Sequence, residues 1–223
     1  MCYLRRLWIQ SMLLLAFTGS AFNVYAEELT GVVKDNKGNP VEDAVIYAMP
    51  LSGAELPPPQ PATIDQIDKE FYPYVSPVQV GTQASFPNND KIRHHVYSFS
   101  PAKTFELPLY PPGKGVEQSV VFDQPGVVVL GCNIHDWMKA YVLVVETPFF
   151  AKTDQNGSAS ITELGAGEYE VRIWHPRIEK SSEAQKMAVT IAQGSSEAVE
   201  FTIKLKKEWR AMRAPRASGG VYR

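Results

Sequence analysis

The chain has 223 residues, 44% of them hydrophobic and 21% charged, with a formal net charge of −2. That length allows one or two domains with a sizeable core. Two cysteines leave no room for a disulfide-built scaffold, and so nearly neutral a balance points to no nucleic-acid partner.

The chain opens with Arg5-Arg6, an apolar run from Met12 to Phe22 and then Val24-Tyr25-Ala26. A basic start, a short apolar stretch and a small residue at its end form the pattern of a secretory signal cleaved after Ala26. The run is too short for a spanning helix, although an uncleaved anchor is the alternative. Residues 1–26 are expected to be a signal peptide and the rest of the chain periplasmic. Cys2 leaves with the leader, so Cys132 is the one cysteine of the mature chain. A lone exported thiol is buried and inert, paired with another chain, or bound to metal.

Strands dominate from there. Residues 29–33 and 44–48 flank Asp35-Asn36-Lys37-Gly38-Asn39-Pro40, a turn sequence that predicts a hairpin. Leu56-Pro57-Pro58-Pro59-Gln60-Pro61 cannot join a central strand and predicts a stiff linker or surface loop. Residues 78–90 read as two short strands and a turn leading into the strand-like run 94–99. Residues 120–122, 127–130 and 141–145 are short apolar runs bounded by turn residues. The stretches 168–173 and 199–205 alternate apolar with polar residues, the period of half-buried antiparallel strands. No long segment has helical periodicity, so an all-β sandwich protein is predicted. Charge is unevenly placed along it. Residues 27–203 carry 13 Lys and Arg against 23 Asp and Glu, a net of −10, whereas residues 204–223 carry seven basic residues against Glu208, a net of +6. Such a tail suits an acidic partner or membrane surface, or is a solvated terminus.

The chemistry concentrates in Gly131-Cys132-Asn133-Ile134-His135-Asp136-Trp137-Met138, a loop between two predicted strands with C-x2-H-x2-M spacing. So short a loop makes thiolate, imidazole and thioether converge without help from distant residues. Upstream lie His94-His95; neighbours in a strand point to opposite faces, so only one of them can readily face a metal. One Cys, two His and a weak axial Met is the ligand set of a type 1 (blue) copper site. Haem attachment would need a second Cys, structural zinc four Cys or His ligands, and a dinuclear copper centre two thiolates. A Cys–His nucleophile lacks an orienting third residue. A buried Cys and Met with a surface His is the bland alternative.

The stretch from about Phe71 to Val145 resembles the plastocyanin/amicyanin-like cupredoxins. Asn88-Asn89-Asp90 with His94-His95-Val96 is similar to the first-ligand motif of plastocyanins, which implies His94 as ligand. Cys132, His135 and Met138 match the short ligand loop of amicyanins, with Ile134 where that family commonly has proline. The chain from Glu27 resembles the plastocyanin-like methylamine-utilisation proteins of bacteria. Thr153-Asp154-Gln155-Asn156-Gly157 and Leu164-Gly165-Ala166-Gly167-Glu168-Tyr169, together with the turn after residue 33, resemble carboxypeptidase-regulatory-like, carbohydrate-binding-like sandwich domains. The resemblance implies a cupredoxin Greek-key β-sandwich plus a small Ig-like or transthyretin-like β-sandwich. The implied organisation is a regulatory-like sandwich from residues 27–61 and 148–205, a cupredoxin domain at 62–147 set into it, and a basic disordered tail at 206–223; the alternative is that the early strands belong to the cupredoxin itself.

The implied function is an exported, single-copper electron carrier that works between redox protein partners and is not an enzyme. His94, Cys132 and His135 would form its trigonal ligand set, Met138 the axial ligand and His135 the electron exit. A periplasmic copper carrier or chaperone, and a metal-free β-sandwich interaction module, are the other classes. Trp137 would cover the site or offer a docking surface. Trp174-His175-Pro176 and Tyr169 would make either a sugar-stacking surface or ordinary core, with His175 a surface or turn histidine.

Overall fold

A computed structural model describes residues 27–53, 55–113, 118–179 and 186–207; the expected signal peptide and most of the basic tail lie outside them. The described residues contain strands and no helix, so the all-β expectation holds. In chain order come β1 (Glu28–Asp35) and β2 (Val45–Pro50), then the short strands β3 (Ala62–Thr63), β4 (Asp65–Ile67), β5 (Glu70–Tyr72), β6 (Val75–Gln79) and β7 (Thr82–Ser85). Longer strands follow: β8 (His94–Ser100), β9 (Lys103–Tyr110), β10 (Ser119–Phe122), β11 (Gly126–Gly131) and β12 (Lys139–Val145). The last are β13 (Phe150–Lys152), β14 (Ser158–Thr162), β15 (Gly167–Trp174), β16 (Lys186–Ile191) and β17 (Ser196–Ile203).

Two sandwiches result. In the first, the five-stranded sheet β6-β12-β11-β8-β9 faces the three-stranded sheet β10-β7-β3. Its core runs from Ile64, Phe86 and Phe122 through Val96, Val128 and Val142 to Cys132 and Met138 at one end. The prolines fall where a sheet tolerates a missing N–H. Pro77 is on the edge strand β6, and Pro108 sits at the bulge where the β8–β9 register slips between His94 and Val96. In the second sandwich, sheet β14-β1-β17 faces sheet β13-β2-β15-β16 around Leu29, Val33, Ile46, Val171, Phe201 and Ile203.

The expected hairpin of residues 29–33 with 44–48 does not form. β1 pairs with β14 and β17, whereas β2 pairs with β13 and β15 on the opposite sheet. The turn is real, with Gly38 N–H on the Asp35 carbonyl at 2.9 Å and Val41 N–H on the Val33 carbonyl at 3.0 Å. Local turn chemistry is the same for a hairpin and for a crossing between sheets, and here the alternating apolar residues of both strands face a shared core from opposite sides.

The sandwiches touch through a third apolar cluster. Val75, Leu143 and Val145 of the five-stranded sheet meet Val45 of β2, with Tyr141 and Trp174 alongside. Strand β12 is thus covered on both faces: Ala140, Val142 and Val144 point into the first core while Tyr141, Leu143 and Val145 meet the second sandwich. That is why its sequence is a continuous apolar run instead of an alternating one.

Candidate metal centre

Strand β8 ends the first core with alternating faces. His94, Val96 and Ser98 are completely buried on the inner face, whereas Tyr97 and Phe99 stack on the outer one at 5.1 Å. His95 follows them outward, its ring 5.7 Å from Tyr97 and its Nε2 2.9 Å from Glu106 Oε1. The loop from β11 to β12 brings the other donors under His94. Tyr97 lies across the chain at Gly131, where a Cβ would stand 2.7 Å from the tyrosine ring, so a larger residue would have to push the ring aside.

Cys132 Sγ is 4.0 Å from His94 Nδ1 and 3.9 Å from His135 Nδ1. All three donor atoms lie within 4.8 Å of one another, the one such Cys/His/Asp/Glu cluster among the described residues. A first-row ion bound trigonally by two nitrogens and a sulfur, with bonds near 2.0 and 2.3 Å, would hold sulfur and nitrogen about 3.7 Å apart. The spacing therefore fits a metal ion, and the mix of one thiolate with two imidazoles favours copper or zinc over hard cations. Met138 is buried at the same end of the core, and its N–H donates to the His135 carbonyl at 2.9 Å, which tightens the loop. His135 is only partly buried, packed between His94 at 5.0 Å and Trp137 at 5.3 Å between ring centres.

Electrostatics favour the charged sulfur. Burial pushes the Cys132 thiol up, but hydrogen bonds from His94 and from the backbone N–H groups of His95 and Ile134 outweigh it and leave the pKa below its ordinary value. Burial pulls His94 down, yet Cys132 and Asp90 together hold it above the usual histidine range. His135 is lowered by burial and by the charges of His94 and Lys69. Tyr110, opposite His94 on β9, is pushed up to about 12 by burial. A cleft of about 440 Å³ opens beside Cys132, lined by Tyr97, Phe99, Asn133, Met138 and Lys139 among others.

Asp90, in the sequence only part of the Asn88-Asn89-Asp90 motif, is the residue that holds His94. Its Oδ2 is 2.8 Å from His94 Nε2, the nitrogen away from the cluster. Carboxylate–imidazole pairing of this kind fixes the orientation of a metal-ligating ring. The signal available in the sequence was an acidic residue four positions before the candidate ligand. Of the two readings of Tyr169 and Trp174, the structure favours core. Tyr169 is buried with its hydroxyl donating to the Leu164 carbonyl, and Trp174 packs edge-on to Tyr141 at 6.1 Å between the sandwiches. His175 is buried rather than surface-exposed, and its Nδ1 accepts the Arg177 N–H at 3.1 Å in a turn.

No family model matches the chain, and a search of curated proteins found no match. Among solved structures, a copper-containing nitrite reductase from Thermus scotoductus SA-01 is 29% identical over 44% of this chain, with a TM-score of 0.37; the match spans only 25% of the reductase chain. A purple cupredoxin from Nitrosopumilus maritimus is 24% identical over 38% of this chain and 99% of its own, with a TM-score of 0.34. A reduced tryptophan-to-tyrosine mutant of amicyanin is 17% identical over 44% of this chain and 99% of its own, with a TM-score of 0.35.

Proposed function

We propose that this protein is an exported electron carrier of the cupredoxin kind that holds one copper ion in a type 1 site. The observation that supports it most is the convergence of Cys132 Sγ with the Nδ1 atoms of His94 and His135, drawn from two separate segments and within 4.8 Å of one another. In this reading His94, Cys132 and His135 are the trigonal ligands and Met138 the weak axial one; His95 is not a ligand, because its ring faces Glu106. Copper, when bound, supplies the one-electron couple.

The chain's own residues supply the rest. His94, fully buried and held by Asp90, and Cys132, pinned by two backbone N–H groups, keep the donors in place so that little rearrangement accompanies a change of charge. The apolar end of the core limits water access. His135, the part-exposed ligand, is the point where a redox protein partner would take or give an electron, with Trp137 beside it. The regulatory-like sandwich of residues 27–61 and 148–205 serves as a platform packed on strand β12, with the cupredoxin unit of residues 62–147 inserted between its halves. The leader-like sequence of residues 1–26 supports export to the periplasm, and the basic residues beyond 203 would meet an acidic partner or membrane surface.

Repeated reduction by ascorbate and reoxidation by ferricyanide should cycle the copper-loaded protein with no loss of metal. Release of Cu(I) to a thiol-rich chelator during the first cycle would replace this reading with that of a copper carrier.

A further inference from the structure

The two segments that bring the donors together are tied by a third. Strands β4 and β5 pair as Asp65 with Tyr72, Gln66 with Phe71 and Ile67 with Glu70, which leaves a two-residue tip, Asp68-Lys69. Both tip residues have positive φ, 49° and 60°, the twist of a type I′ turn that normally takes Asn-Gly. Non-glycine residues in that region are strained and persist only where the surroundings hold them.

Both polar groups of the Lys69 main chain are engaged. Its N–H donates to Asp90 Oδ2 at 2.7 Å, the same oxygen that lies 2.8 Å from His94 Nε2. Its carbonyl accepts the Trp137 indole N–H at 3.2 Å, and that indole packs against His135. The hairpin is anchored behind the tip. Asn89 donates through Nδ2 to Asp65 at 2.6 Å and through its N–H to the Gln66 carbonyl at 3.1 Å, and Phe71 is buried in the first core. A closed circuit results: His94 to Asp90, Asp90 to Lys69, Lys69 to Trp137, Trp137 to His135, and His135 back to His94 across the cluster.

We propose that the tip of the β4–β5 hairpin is a positioning device in which Lys69, through its main-chain N–H and carbonyl, sets the spacing between the Asp90–His94 segment and the Cys132–Met138 loop. Lys69 touches no donor atom; it acts through Asp90 and Trp137. The effect on copper rests on the metal-site reading above, whereas the linkage itself is a property of the metal-free chain. Groups that orient ligands in this way are worth about 10–100-fold in metal affinity.

The test uses three variants of the full mature chain. Lys69→Pro removes the N–H and cannot adopt positive φ. Trp137→Phe keeps a ring against His135 but deletes the indole donor. Asp68→Asn with Lys69→Gly keeps the turn and both main-chain groups, and is the conservative rescue. Amide hydrogen exchange in the metal-free proteins should show that Trp137→Phe speeds exchange at Lys69, Lys91 and His94 as well as in the 132–138 loop, by about tenfold. Competitive Cu(II) titration should show Lys69→Pro and Trp137→Phe weakened by about tenfold or more, and the Asn-Gly variant unchanged. Acceleration confined to the 132–138 loop, or Lys69→Pro binding Cu(II) as the parent does, would overturn the proposal. If the parent chain binds no copper, the metal-site reading fails and the exchange data alone decide the linkage.

Discussion

Both sandwiches of this molecule bury polar groups, but among the described residues only the first adds a cluster of donors turned on one another. In the second, the buried hydroxyls close local bonds: Thr153 donates to the Val41 carbonyl at 2.7 Å and accepts the Ala44 N–H at 2.9 Å, which fastens adjacent segments of backbone. In the first, His94, Cys132 and His135 turn donor atoms towards one another, with nitrogen–sulfur distances of 3.9 to 4.0 Å that leave room for an ion between them. Burial of polar atoms is costly unless they are satisfied. Among the described residues, the one cluster with metal-ligand spacing lies in the first sandwich.

Substitutions can break that contrast, and the largest effect is expected at the sulfur. Cys132→Ser should abolish any intense visible band with copper and weaken copper binding by more than about 100-fold, while the strand content by circular dichroism stays as in the parent. Second is a pair that separates adjacent histidines. His94→Ala should remove the band, and His95→Ala should keep both the band and one copper per chain, because the His95 ring lies on the outer face against Glu106. Loss of the band in His95→Ala would reassign the upstream ligand.

The opposite contrast belongs to the second sandwich. Phe201, 2% exposed in its core, should lose about 3–5 kcal/mol of unfolding free energy in urea when truncated to alanine, with the copper spectrum unchanged below the transition. A spectrum that changes with Phe201→Ala would mean that the sandwiches are coupled through the Leu143–Val45 contact and are not separable in role.

How much of this was open to the sequence depends on how local the chemistry is. The Cys132, His135 and Met138 loop was legible because its donors sit within seven residues. Its partner His94 was named only through the resemblance to plastocyanins, because period two assigns His94 and His95 to opposite faces without saying which face is inside. The apolar residues mislead there: Tyr97 and Phe99 share the His95 face, and Phe99 is 78% exposed. The β4–β5 hairpin escaped notice because three-residue strands give too few alternations to detect. The placement of β1 and β2 in different sheets was hidden as well, since the Asp35 turn looks the same in either arrangement.

Smaller effects sharpen the comparison at single hydrogen bonds. Ile134→Pro removes one N–H that faces the Cys132 sulfur and should lower the reduction potential by tens of millivolts, about 1 kcal/mol of differential bonding, measured by voltammetry. The smallest effect lies in the turns of the second sandwich. Asp35 and Asp154 each accept two backbone N–H bonds through one oxygen at 2.8 to 2.9 Å. Side-chain and backbone bonds from Asn39 hold Asp35 below the ordinary value of 3.8, and the Ser158 N–H does the same for Asp154. A lowered carboxylate pKa contributes stability that is present above 3.8 and lost as pH falls through the lowered value. The double variant Asp35→Asn, Asp154→Asn should therefore lose less stability on acidification than the parent, read from urea midpoints at stepped pH.

In the proposed function one copper ion sits on Cys132 between two imidazoles. The most direct test is the visible spectrum of the chain from Glu27 onward during titration with Cu(II), with metal content determined on the same sample. An intense thiolate-to-copper band that saturates at one copper per chain is expected. Stoichiometric copper without that band, or no copper at all, would contradict it.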